Sequence, residues 1–325
     1  MKKLARRILA AMHRRLLMRP YKAVIAPLLR DRVETASRNF ERMVVVLMDG
    51  GLGSQMWQYA LGRAACASGL PVRYDLTWYE RSGRDIKNLN NRAYRLEYVF
   101  PLVKVNRADP TLLRIYQIYF DLFPGTRFDF DEAALTSGAP RYLGGYYVNA
   151  EYIDRQGDSL RDVFDFQVNL TPDSSDVLSR VESEDYPAAL HIRRGDYVGS
   201  IHDVTTPSYF REAVRHVADR LPRGKAVFFV FSNGMDWSRE VLSGIDEKFV
   251  FVENNDNDDG EVDMFLMSRC RHFIISNSSF SWWPAWLSRR SADKIVVMPD
   301  VWLSKERACD KYAMKVKDWI AMPVR

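Results

Sequence analysis

Cysteine is scarce: Cys66, Cys270 and Cys309 are the three in 325 residues. Their spacing matches no metal-ligand pattern, and an odd count argues against a disulfide framework, so the expected setting is a reducing cytoplasm. Long apolar runs are lacking as well. The N-terminal stretch "AVIAPLL" (23–29) falls far short of the roughly 20 residues that span a bilayer, and no small-residue cleavage site follows it. The dinucleotide fingerprint G-x-G-x-x-G is missing from the one glycine-rich strand-to-helix turn, "DGGLGSQ" (49–55). Internal repeats and low-complexity linkers are absent too.

Basic charge is missing from the body of the chain, although the net charge is +5. Residues 1–42 hold 12 Lys and Arg against 3 Asp and Glu, and the remainder holds 35 against 39. That distribution gives no support to a nucleic-acid partner. The leader spaces Leu4, Ile8, Leu9, Met12, Leu16 and Leu17 at helical intervals between basic residues. This is the pattern of an amphipathic helix on anionic lipid, or of a solvated extension.

What is present is an alternation of strands and helices. "MVVVLM" (43–48), a helix from Ser54 closed by Gly69, and "PVRYDL" (71–76) read as a βαβ start. Residues 77–185 show no clean period and are expected to form irregular helices. From residue 186 the strand candidates "PAALHI", "KAVFFVF", "KFVFVE", "RHFIIS" and "KIVVMP" alternate with helices near 207–221, 236–243, 261–270 and 280–289. The pattern calls for a parallel sheet with helices on both faces. We therefore expect a leader (1–42), an N-terminal α/β domain (43–185) and a C-terminal α/β domain (186–325). Both are doubly wound and Rossmann-like, and they face a central cleft.

The chemistry concentrates at two strand ends. In "ALHIRRGDYVG" (189–199) the apolar run stops at Ile192, which places His191, Arg193 and Arg194 at the carboxyl edge where ligands of open sheets bind. Arginine forks suit a diphosphate. Adjacent strand residues point to opposite faces, so one arginine is expected on phosphate while the other pairs with Asp196. An adhesion role for Arg194-Gly195-Asp196 lacks a secretion signal. The second edge is "NSSFSWWPAWL", where Asn277, Ser278 and Ser279 precede a helix whose first amides can bind an anion. Trp282, Trp283 and Trp286 follow at helical spacing and are read first as core packing, with a sugar-stacking platform as the alternative. Pro284 is tolerable in a first helical turn. Asp129/Asp131 and Asp256/Asp258 form Asp-x-Asp pairs without further oxygen ligands, so no metal is expected.

"GGLGSQMWQYALG", "HIRRGDYV", "VFS" with Trp237 behind it, and "DMFLMSRCRHFIISNSSFSWWPAWL" with "VVMP" resemble, in order and spacing, the bacterial α-1,2-fucosyltransferases of glycosyltransferase family 11. The resemblance runs from about residue 43 to 303. It implies a GT-B-like fold, a GDP-β-L-fucose donor, and inverting transfer to a sugar hydroxyl, commonly the 2-hydroxyl of galactose in a glycan or lipid-linked oligosaccharide, with no cofactor or metal. It also implies that Arg193 binds the donor diphosphate, with Arg194 and Asp196 shaping the loop. Asp263 would pair with guanine, Ser278 and Ser279 would bind phosphate, and the loop of Gly51, Gly53, Ser54 and Gln55 would lie near the reacting centre.

Three positions depart from the family pattern. Ser54 replaces an asparagine, Asn233-Gly234 an acidic pair, and Pro284 a glycine. These departures leave two alternatives: another GDP-sugar donor, or a GDP-sugar- or glycan-binding protein without catalysis. An inverting transfer needs an acceptor for the hydroxyl proton. Asp196 is the sequence candidate, with a purely structural Asp196 as the alternative.

Overall fold

The computed structural model describes residues 43–81, 83, 92–110, 113, 116–117, 126–136, 140–253, 260–304 and 313–324. The basic leader, Asp256, Asp258 and Cys309 lie outside the described residues.

The first unit is built on a parallel sheet of order β2-β1-β4. The central strand β1 (Val44–Leu47) pairs with β2 (Val72–Asp75) on one side and β4 (Arg141–Leu143) on the other. A run of three valines and a leucine suits this place, because a central parallel strand is covered on both faces. The connecting helix Leu52–Ala67 buries Met56, Trp57, Ala60, Leu61, Ala64 and Ala65. Strands β3 (Thr126–Arg127) and β5 (Tyr146–Tyr147) form a separate parallel pair. Short helices fill the rest of 77–185, with a longer one at Pro172–Ser183. The strand β4 within this stretch was not expected. Three residues, Arg-Tyr-Leu, carry no periodic signal.

The second unit is a six-stranded sheet of order β11-β10-β9-β6-β7-β8. Its strands are β6 (Tyr186–Ile192), β7 (Ala226–Ser232), β8 (Lys248–Val252), β9 (His272–Ile274), β10 (Val296–Pro299) and β11 (Ile320–Met322), and all neighbours are parallel. The first five lie where the apolar runs place them; β11 carried too short a signal. The chain winds outward from β6 through β7 to β8, then crosses back to lay β9 on the other side of β6. That reversal opens a crevice at the carboxyl ends of β6 and β9, the switch point at which such sheets bind ligands.

The units are joined by a shared core. Along β6, Ala188, Leu190 and Ile192 face one helical layer, and Ala189 faces a larger cluster that continues into the first unit. At the centre of that cluster, the Trp57 ring lies 4.6 Å from Trp282 and 5.1 Å from Trp283. Trp282, Trp283 and Trp286 are fully buried, so they are core and not a sugar platform. Their polar atoms are used inside: Trp282 Nε1 donates to the Met314 carbonyl (2.8 Å) and Trp283 Nε1 to the Gly53 carbonyl (2.9 Å). Truncating such a ring costs about 3–5 kcal/mol.

One expectation about this helix is corrected. Helix Ser279–Leu287 places Pro284 in its second turn, not its first. The ring removes the amide that would bond the Phe280 carbonyl, and Pro284 is buried along with the tryptophans of the same helix. Among the described residues no helix is long and apolar enough to cross a membrane.

Candidate active site

The switch point is built from the loops after β6 and β9. Ser276 ties them: its hydroxyl accepts from the Arg193 amide (2.9 Å) and donates to the His191 carbonyl (2.8 Å). Beyond Ile192 the chain turns sharply through Gly195, whose φ of +35° disfavours other residues. The turn is closed by the Tyr197 amide donating to the Arg194 carbonyl (2.7 Å). It folds Asp196 back under Arg193.

The arginines divide their work differently from the sequence expectation. Arg193 itself pairs with Asp196, its Nε and Nη2 lying 2.9 and 2.6 Å from Oδ1. Arg194 instead reaches Asp203 (3.2 Å) and lies over the Trp237 ring (4.4 Å), while its amide donates to Asn233 Oδ1 (2.7 Å). The tight turn at Gly195 causes the exchange, because it brings residues three apart onto the same side. Asn233 also fills the space a side chain at Gly195 would occupy.

A third arginine arrives from the first unit. Arg92 Nη2 lies 3.7 Å from Asp196 Oδ2, so Asp196, 6% exposed, is held between two guanidinium groups. A second cross-unit pair, Arg95 with Glu261, stands on the same side. Neither arginine was singled out from sequence. "NNRAYRLEYVF" carries no motif, and their role depends on contacts some 100 to 170 residues away.

The remaining sequence candidates fall into two groups. His191, Asn277 and Gln55 are buried and engaged in holding the fold. His191 Nδ1 is 2.8 Å from the Ser281 hydroxyl, and burial, reinforced by Arg193, lowers its pKa to about 3, so the ring is neutral. Asn277 donates to the carbonyls of His202 (2.9 Å) and Trp302 (2.8 Å). Gln55 accepts from the Arg95 and Leu96 amides (3.0 and 3.1 Å) and donates to the Ala93 carbonyl (2.9 Å), fixing the segment that carries Arg92 and Arg95. Through these bonds all three hold the edge together from within.

Ser278, Ser279, Gly51, Gly53 and Ser54 do converge there. Ser278 caps helix 279–287, its hydroxyl accepting from the Phe280 amide (3.3 Å). Gly53, in the first turn of helix 52–67, is pressed onto Ser279: a Cβ at Gly53 would sit 2.8 Å from Ser279 Oγ and 2.9 Å from its carbonyl carbon. Two helix N-termini, one from each unit, therefore meet beside the arginines. Asp263 is partly exposed on helix Gly260–Ser268, two residues beyond Glu261, which pairs with Arg95. Among the described residues no three His, Cys, Asp or Glu cluster as metal ligands.

One carboxylate at this edge, inside the glycine-rich stretch 49–55, carried no signal of its own in the sequence. Asp49, two residues beyond β1, receives a hydrogen bond from Gln58 Nε2 at Oδ1 (2.6 Å), and its amide donates to Gln58 Oε1 (3.0 Å). Desolvation raises its pKa, partly opposed by hydrogen bonds from Gln58 and Tyr146.

Two parallel α/β units thus meet near their strand ends around a cluster of arginines. The chain belongs to glycosyl transferase family 11, whose sequence model matches residues 116–323. It is 31% identical over 288 residues to an alpha-1,2-colitosyltransferase of Escherichia coli, covering 81% of this chain and 93% of that protein. Against the O-antigen biosynthesis glycosyltransferase WbnK of Escherichia coli it is 29% identical, covering 84% and 98%. With galactoside alpha-(1,2)-fucosyltransferase 1 of Aotus azarae it shares 28% identity over 162 residues, 45% of this chain and 42% of the relative. Among solved structures, fucosyltransferase NodZ from Bradyrhizobium aligns over 75% of this chain and 93% of that chain, with 15% identity and a TM-score of 0.44.

Proposed function

We propose that this glycosyltransferase transfers L-fucose, or a deoxy relative of it, from its GDP derivative to the 2-hydroxyl of a galactose unit, with inversion at the anomeric carbon. The observation that carries the reading is the convergence of Arg193 and Arg92 beside two helix N-termini at the β6/β9 switch point. Such a cluster supplies fixed positive charge where a diphosphate leaving group gains negative charge. Residues 186–325 then form the donor side and residues 43–185 the acceptor side.

In this reading the Arg193 fork is held by Asp196 and presents its remaining edge, with the 279–287 amides, to the diphosphate. Ser278 and Ser279 complete that cradle. Asp263, near the Arg95–Glu261 pair, meets the guanine. Bond breaking leaves the electron pair on the β-phosphate oxygen, and the acceptor oxygen attacks the opposite face of the sugar carbon. Asp196 is a positioning residue, because its two oxygens are engaged by the guanidinium groups of Arg193 and Arg92. The arginines neutralise the diphosphate, so the reaction runs without a divalent metal or other cofactor.

The family tie to an alpha-1,2-colitosyltransferase makes the donor the first thing to establish. Purified protein is incubated with GDP-fucose or GDP-colitose and a set of galactosides, and the product linkage is read by NMR. An α-1,2 product is expected with one of them. Binding of both donors without transfer or hydrolysis would refute the enzyme reading in favour of a binding protein.

The likeness to an O-antigen glycosyltransferase suits a lipid-linked acceptor in a cytoplasmic setting, with the basic leader resting on anionic lipid. Deleting residues 1–42 should then weaken binding to anionic vesicles at low salt. Equal binding by the truncated chain would remove that part of the reading.

A further inference from the structure

We propose that Asp49 is the catalytic residue that takes the proton from the acceptor hydroxyl, a role resting on the transferase reading above. Three observations carry it. First, position: Asp49 follows β1 at the carboxyl edge of the first unit's sheet, immediately before the glycine turn whose helix is pressed against Ser279. That sets it across the cleft from Arg193, on the side from which an inverting attack must come if the diphosphate lies on the second unit.

Second, availability. The other carboxylate at this edge, Asp75, is fully buried and spent, its oxygens accepting from the Thr77 amide, Gln117 and Tyr142, each at 2.8 Å. Asp196 is gripped by Arg193 and Arg92. Asp49 is partly exposed, and no described arginine or lysine pairs with it.

Third, preparation. Gln58 fixes the carboxylate through a two-point contact with its side chain and its own amide. The Tyr146 hydroxyl hydrogen-bonds to it, and Tyr79 lies close enough to interact with its charge. The groups facing Asp49 are therefore Gln58 from helix 52–67, Tyr146 from β5 and Tyr79 from helix 77–81. Both tyrosines stay protonated, since burial and the Asp49 charge push their hydroxyls far above their ordinary range. Tyr146 also interacts with Tyr197, which neighbours Arg193 and Asp196, so the two halves of the site adjoin. Desolvation makes Asp49 a stronger base than an exposed aspartate, the direction a proton acceptor needs.

The step balances simply. The acceptor O–H proton passes to an Asp49 oxygen while the acceptor oxygen bonds to the sugar carbon. The carbon–oxygen bond to the diphosphate breaks, GDP leaves with its electron pair, and Asp49 later releases the proton to water.

The test compares wild type with Asp49→Asn in the full chain, measuring kcat, KM, the pH–rate profile and the Kd for GDP. Asparagine keeps the acceptor for Gln58, so GDP should bind within about threefold of wild type. Transfer should fall by about 10²-fold or more, in kcat and not in donor KM, and the acidic limb of the profile should vanish. Tyr146→Phe, which removes a bond to the charged form, should move that limb to higher pH. Asp49→Asn retaining its rate within threefold, keeping the acidic limb, or losing GDP binding along with activity would overturn the proposal. Absence of transfer by the wild-type chain would instead strike the reading beneath it.

Discussion

At the residue scale the site turns on which acid serves which base. Arg193 and Asp196 form a pair that is largely removed from water, with side-chain exposures of 18% and 6%. Removing one member of a buried pair leaves an uncompensated charge and costs about 3–5 kcal/mol. Asp196→Asn keeps one hydrogen bond and should lose about 3 kcal/mol, the low end of that range. It should weaken GDP binding by releasing the Arg193 fork, yet leave the acidic limb of the pH–rate profile in place. Denaturant titration and a pH–rate series check both parts, and disappearance of the limb would make Asp196 the proton acceptor after all. The charged strand end was legible because an apolar run cannot continue through His-Ile-Arg-Arg. Which arginine takes which partner was not, since it depends on a single backbone angle at Gly195. Arg92 and Arg95 were invisible for a related reason: an arginine gains its role here from partners in the other unit.

Elements, rather than residues, set how closely the two halves approach. Helix 52–67 meets helix 279–287 through Trp57, Trp282 and Trp283, and the contact is tightest where Gly53 touches Ser279. Gly53→Ala should therefore displace the Ser279 turn and not merely fill space. We expect a loss of about 1–3 kcal/mol, the usual cost of overpacking, together with weaker GDP binding. Thermal unfolding with and without GDP measures both, and unchanged stability would mean the two helix ends are not in forced contact. The tryptophans were readable as core from their spacing alone. Their partner was not, because helical spacing identifies a buried face without saying what covers it. Short strands failed for lack of signal: β4 and β11 are three residues each, and their sequences acquire strand geometry only by pairing with β1 and β10.

For the whole molecule, buried histidines tie stability to pH. Burial and neighbouring arginines lower His191 to about 3 and His272 to about 4, so both are neutral in the fold but gain protons at about 6.5 when unfolded. The unfolded state thus binds more protons below that pH. Stability from these groups is complete above pH 6.5 and is lost as pH falls toward 4, with a slope of up to about 1.4 kcal/mol per pH unit for each. Chemical denaturation between pH 4 and 7.5 should show this decline, and His191→Asn should make it shallower. A flat profile would mean these rings are hydrated in the fold. The parallel α/β sheets were legible because alternating apolar runs leave few arrangements open. The sugar acceptor was not, because residues 77–185 contribute short, irregular elements whose surface is set by tertiary contacts.

The most direct measurement of the proposed activity is the initial rate of sugar transfer from GDP-fucose and from GDP-colitose to a galactoside by the wild-type chain and by Arg193→Ala, with GDP affinity measured in parallel. The wild type should form an α-1,2 product, and Arg193→Ala should lose at least about 10²-fold in rate and bind GDP more weakly, as expected when a charge-assisted clamp on the leaving group is removed. Equal rates for the two proteins, or binding of both GDP-fucose and GDP-colitose by the wild type with no transfer to any galactoside, would contradict it.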